Sequence, residues 1–128
     1  MNDKTEKFEN LLIQLKEAYH RFEEVMQKEK DAFIRDSAIQ RFEFTFELVW
    51  KTLKAYLQEK GAQDLFFPRD VLKSAYQAKV IEDDPQWFKM LETRNLTSHL
   101  YKESMAEQAY SSFNSYLPLI KQLIDKLN

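Results

Sequence analysis

With 128 residues and no glycine-, proline- or serine-rich linker, the chain is expected to be one domain, residues 1–128, large enough to bury its own core. One glycine, three prolines and no cysteine, with 44% hydrophobic and 31% charged residues, describe a helical bundle and not a disordered chain. The same counts exclude glycine-built phosphate loops, disulfides, thiolate zinc sites and a cysteine nucleophile, and the net charge of −2 argues against broad electrostatic binding to nucleic acid, leaving room for a local basic patch.

The first helix is predicted over about residues 5–28. Phe8, Leu11, Leu12, Leu15, Tyr19, Phe22 and Met26 fall at helical spacing, with Lys, Glu and Gln opposite them. The charged stretch 28–35 reads as the first turn. Ser37 with Gln40 resembles a capping box, and a start some residues earlier is also compatible with the pattern. The second helix, to about residue 60, is the most apolar: Ile39, Phe42, Phe46, Val49, Trp50, Leu53 and Leu57 form one stripe, widened by Phe44 and Leu48. It is the predicted central helix. Its charges, Arg41, Glu43, Glu47, Lys51 and Lys54, read as solvated or paired, with Glu47 and Lys51 in the favourable i,i+4 order.

Gly61 is the expected stop. Phe66-Phe67 in the loop that follows belongs either under the bundle or in an interface. A shorter helix is predicted over about 69–79. Asp84-Pro85 then reads as an N-cap and first-turn proline for a helix with Trp87, Phe88 and Leu91 on its apolar side, ending between Asn95 and His99. Ser104 with Glu107 reads as a capping box for a last helix to 127, in which Pro118 should produce a kink or local break. Antiparallel helices with short connections give an all-α, up-and-down bundle.

The chemistry concentrates in Arg94-Asn95-Leu96-Thr97-Ser98-His99-Leu100-Tyr101, which holds one of only two histidines. An unbroken helix would set Arg94 and His99 roughly 140° apart. Joint action would require the helix to unwind between them or a second copy to supply the partner. Elsewhere the bland readings are stronger. Glu82-Asp83-Asp84 is a solvated helix start, His20 a surface residue, and the eighteen aromatics (ten Phe, six Tyr, two Trp) are core. Neither metal nor cofactor is expected. No apolar run approaches membrane-spanning length, and Met1-Asn2-Asp3-Lys4-Thr5-Glu6 lacks the order of a secretory signal, so a cytoplasmic location is expected.

Arg94-x4-His99-x-Tyr101 resembles the Arg-x4-His-x-Tyr motif of HEPN domains, in particular the HepT-like branch of nucleotidyltransferase substrate-binding proteins. Ile39-Gln40-Arg41-Phe42-Glu43-Phe44-Thr45-Phe46-Glu47-Leu48-Val49-Trp50-Lys51, Pro68-Arg69-Asp70-Val71 and Tyr116-Leu117-Pro118-Leu119 are similar to the same branch, so the resemblance covers about residues 5–127. It implies four long helices plus a short one, a homodimer uniting two motifs in one cleft, and a separately encoded minimal nucleotidyltransferase as partner in a toxin–antitoxin-like pair. The chain would not itself be the nucleotidyltransferase. By the resemblance Arg94 and His99 are catalytic in a metal-independent ribonuclease, and Tyr101 is the residue adenylylated to silence it. Asn95 and Ser98 are binding candidates, Asn95 able to orient the histidine or hold phosphate. Of three readings, the expected one is a partner subunit that docks on the nucleotidyltransferase and presents Tyr101 or another substrate to it. The alternatives are a ribonuclease acting on RNA and a helical dimer whose polar motif is structural.

Overall fold

The computed structural model describes the backbone of residues 3–99 and 101–128, and side chains from residue 6 onward; Leu100 of the motif lies outside the described residues. Two long helices, α1 (Asp3–Met26) and α2 (Ala32–Glu59), are followed by α3 (Pro68–Gln77), α4 (Gln86–Leu96), a 3₁₀ turn (Thr97–His99), α5 (Glu103–Ser111) and α6 (Phe113–Leu127). No strand occurs among the described residues, in agreement with the predicted all-α class.

On α1, Leu12, Leu15, Tyr19 and Phe22 recur every three or four residues, and all are buried with Ala18 and Val25. That face packs antiparallel on α2. Phe8 meets Tyr56 at 5.5 Å between ring centroids and Phe22 meets Phe42 at 5.9 Å, while the Thr45 hydroxyl is 3.2 Å from the Ala18 carbonyl, so numbers fall on one helix as they rise on the other. As the stripe predicts, α2 is central: it packs against α1, α3, α4 and α5, and Phe42 reaches Phe113 and Tyr116 of α6.

The first turn is shorter than the charged stretch suggests. Asp31 is extended and its Oδ1 accepts the Ile34 N–H at 2.7 Å, so the side-chain cap that starts α2 lies six residues before Ser37, and Arg35 is helical. At the other end Gly61, at φ 96°, supplies the left-handed residue after the helix. Its N–H bonds to the Gln58 carbonyl and that of Ala62 to the Leu57 carbonyl, each at 3.0 Å. In the loop beyond, Leu65 turns inward, while Phe66 and Phe67 are 69% and 68% exposed. Pro68 opens α3, where Asp70 accepts the Phe67 N–H.

The predicted last helix is divided at Ser112, six residues before Pro118, which lies inside α6. Ser112 and Ser115 N–H groups take carbonyls three residues back, and the Ser111 and Ser115 hydroxyls do the same at 2.7 Å, so the chain tightens locally ahead of the proline ring. The Ser104–Glu107 capping box does not form. α5 already starts at Glu103 with Lys102, which has no side-chain acceptor, at its N-cap, so Ser104 lies inside the helix and no side chain caps it. Its acids Glu103 and Glu107 reach a more distant cation.

That cation is Arg35, which is buried although it carries a charge. Its Nη1 donates to Glu103 at 2.6 Å and to Glu107 at 3.0 Å, its Nε donates to Asp36 at 3.0 Å, and Lys30 also holds Glu107. The hydrogen bonds to Glu103 and Glu107 raise the Arg35 pKa more than dehydration lowers it. Arg35 holds the Glu103 carboxyl below the ordinary carboxylate range, and Lys30 and then Arg35 do so for Glu107. A carboxylate depressed in the folded state stabilises above its unfolded pKa and loses that contribution as pH falls through the folded value. Urea midpoints are therefore expected to drop as pH is lowered from roughly 5 to 3, and Arg35→Met is expected to flatten part of that drop. An equally steep profile in Arg35→Met would place the acid sensitivity elsewhere.

Candidate functional site

Asp84 Oδ1 accepts the Gln86 N–H at 2.9 Å, starting α4 where the Asp-Pro pair predicts it. Trp87, Met90, Leu91 and Thr93 form the buried face of α4. Thr93 fixes the helix in rotation: its hydroxyl lies 2.9 Å from the Lys89 carbonyl and 2.8 Å from the Tyr116 hydroxyl in the core. One residue on, a turn of about 100° carries Arg94 away from α6. It faces α2, where its Nη2 lies 3.3 Å from Glu47 Oε2.

α4 ends at Leu96, inside the predicted interval, and passes into the 3₁₀ turn. The cause is local. The Thr97 hydroxyl donates to the Arg94 carbonyl at 2.5 Å and the Ser98 hydroxyl to the Asn95 carbonyl at 2.8 Å, so side chains occupy carbonyls that a longer helix would bond to backbone. This unwinding brings Arg94, Asn95, Thr97, Ser98 and His99 onto the lining of one open depression. Arg94 and His99, set on different faces by an ideal helix, therefore share it within a single chain.

Tyr101 does not line the depression. It stands beside it, 79% exposed, with its ring edge-on to His99 at 6.3 Å between centroids. The opposite rim is supplied by Glu43 of α2, and Glu43 and Arg94 also belong to an adjoining depression with Gln40, Phe44, Glu47 and Leu48. Although its side chain is largely open to solvent, the Glu43 carboxyl is raised above the ordinary range: loss of hydration against the groove wall outweighs the Thr97 hydroxyl and the Arg94 guanidinium, which pull it down. Glu47 is shared three ways, with Arg94, with Trp50 Nε1 at 3.2 Å and with Lys51 at 3.6 Å.

Glu43 and Glu47 are the site residues that the sequence reading passed over as ordinary helix charges. Their signal was present, since two acids four apart on the most apolar helix must leave the core together and meet whatever packs beside it. Among the described residues no group of three His, Cys, Asp or Glu could hold a metal ion. His20 is exposed on α1, next to Tyr19, whose phenol is pushed up to about 12 by burial and by Glu23.

Fold and site together define an all-helical domain built on a central apolar helix beside which a second helix ends in one polar depression. The chain belongs to the nucleotidyltransferase substrate-binding protein family, matching "Nucleotidyltransferase substrate binding protein like" over residues 4–128. It is 32% identical over 94 residues to a Haemophilus influenzae protein named "Probable ribonuclease HepT"; the match covers 70% of this chain and 64% of that relative, just under two thirds of its length. Among solved structures it is similar to a Thermus thermophilus protein, with 32% identity, TM-score 0.76, and 94% and 98% of the two chains covered. A second structure, from Haemophilus influenzae, is described as revealing the fold of a substrate-binding domain of a nucleotidyltransferase; it is 26% identical with TM-score 0.76, covering 91% of this chain and 98% of that one. No described helix is long and apolar enough to cross a membrane.

Proposed function

We propose that the chain is the helical partner subunit of a minimal nucleotidyltransferase and presents Tyr101 to it, in a two-gene toxin–antitoxin-like pair. The observation that carries this reading is the exposed phenol of Tyr101 on the open flank of the depression, next to His99. The family and the substrate-binding description of the similar fold support a nucleotidyltransferase as partner. The partner would hold ATP. The Tyr101 oxygen attacks the α-phosphorus, the bond to pyrophosphate breaks, and the phenolic proton passes to a base. The product carries a negative phosphate and an adenosine at the mouth of the depression.

A second reading is favoured by the lining of that depression. Arg94 can grip phosphate through a planar fork of donors and an imidazole can move protons near neutral pH, which are the parts that metal-independent RNA cleavage requires. On this reading the chain is a ribonuclease, a homodimer brings two copies of His99 to one cleft, and Asn95 and Ser98 bind the RNA. AMP on Tyr101 then blocks by charge and bulk.

Intact mass after co-expression with the partner, measured beside RNA cleavage by the chain alone, tests both. One or more added AMP units that disappear in Tyr101→Phe, with loss of cleavage on modification, is the expected result if both hold. An unmodified mass in the presence of an active partner overturns the first reading, and absence of cleavage by the unmodified dimer overturns the second.

A further inference from the structure

A carboxylate already occupies the cation on which an anionic ligand of the motif would land. Arg94 Nη2 and Glu47 Oε2 stand 3.3 Å apart, a single long contact between side chains that are 38% and 34% exposed. Such pairs are weak and screened by salt. Glu47 is not stranded when the contact opens. Trp50 Nε1 donates to the same oxygen at 3.2 Å, and Lys51 lies 3.6 Å from the other. Arg94 gains from leaving only if the newcomer offers two oxygens at once, as a phosphate does and a single carboxylate oxygen does not.

We infer that Glu47 is a displaceable counter-ion for Arg94, so that a phosphate-bearing ligand enters the motif depression by exchanging with a carboxylate of the chain itself. The inference rests on the proposed reading of Arg94 as a phosphate-binding group. Exchange, in place of simple addition, sets the affinity of the depression. The ligand must displace Glu47, while Trp50 and Lys51 receive the carboxylate that moves away. A neutral nucleoside has no means of opening the pair. Glu47 thus lowers the affinity of the site for ligands with a phosphate and leaves that for uncharged ones as it is.

The probe is 5′-AMP titrated into the full-length chain and followed by isothermal titration calorimetry in every variant, with adenosine as the uncharged control. The NMR signal of the Arg94 Nε–H is a second readout where Arg94 is present. Glu47→Gln keeps the shape of the side chain and its contact with Trp50, and is expected to bind AMP about two- to fivefold more tightly, the equivalent of removing one exposed ion pair. Glu47→Asp, which draws the carboxylate back by one methylene, gives a smaller gain in the same direction and serves if the glutamine variant folds poorly. Adenosine binding stays unchanged in both. Unchanged or weaker AMP binding in Glu47→Gln overturns the inference. So does an equal gain from Glu43→Gln, which removes a charge from the same depression without touching this contact. Arg94→Ala separates the two levels: if it binds AMP as well as the parent chain, the phosphate-binding reading itself falls; if it loses about tenfold or more while Glu47→Gln gains nothing, only the counter-ion role is lost.

Discussion

Replacing Phe42 with alanine is expected to lower the free energy of unfolding by about 3–5 kcal/mol, the range for deleting a buried aromatic ring. Phe42 is fully buried at the centre of α2. Its ring meets Phe113 at 4.8 Å, Tyr116 at 5.8 Å, Phe22 at 5.9 Å and Phe46 at 6.1 Å between centroids, so one side chain joins α1, α2 and α6. Removing it leaves a hole lined by four other rings. Large rings in fixed rotamers cannot all move inward without losing their remaining contacts, which places the cost toward the upper end of the range. Against a usual total of about 5–15 kcal/mol, that is a large share. The measurement is urea unfolding at constant slope. Phe33→Ala is the comparison, because Phe33 is 86% exposed and its loss is expected to change stability by no more than about 0.5 kcal/mol. Equal costs for the two would mean that Phe33 is covered in the assembled protein.

The second large effect concerns activity. On the ribonuclease reading, His99→Ala is expected to reduce RNA cleavage by about 10²–10⁴-fold, the usual contribution of a positioned acid or base. Stability should scarcely change, since the imidazole is exposed at the end of the 3₁₀ turn and its ring contact is with Tyr101, itself on the surface. This pairing of a large kinetic loss with an intact fold distinguishes a chemical role from a structural one. Arg94→Lys keeps the charge and gives up the planar fork. It is expected to cleave more slowly than the parent chain. A folded His99→Ala protein that cuts RNA at the parent rate would remove the chemistry from this depression altogether.

Much of this was legible in the chain. A single glycine and apolar residues every three or four positions require helices, and the most continuous stripe, through Phe42, Phe46, Val49 and Leu53, identified the helix around which the others pack. Gly61 and Asp84-Pro85 marked helix ends because capping is settled within a few residues of the chain. The end of α4 before His99 was legible for the same reason, since Thr97 and Ser98 carry hydroxyls able to take nearby carbonyls.

Other features were decided only by folding. Ser104 and Glu107 have the spacing of a capping box, yet α5 starts one residue earlier, at Glu103 with Lys102 as its N-cap, and Glu107 turns to Lys30 and Arg35, which are more than seventy residues away in the chain. Pro118 announced a disturbance in the last helix. The break settled at Ser112, where serine hydroxyls and tightened backbone bonds absorb it. Likewise, Arg94 could be named from the sequence as a candidate, but its partner could not, because the rotation of α4 is set by the Thr93–Tyr116 hydrogen bond and the packing of Trp87 and Met90. The sequence by itself determined the helices, the buried faces and the polar segment, all of which depend on neighbours within one or two turns. Tertiary structure alone decided which charges meet, because an ion pair depends on distances across the bundle that no local spacing encodes.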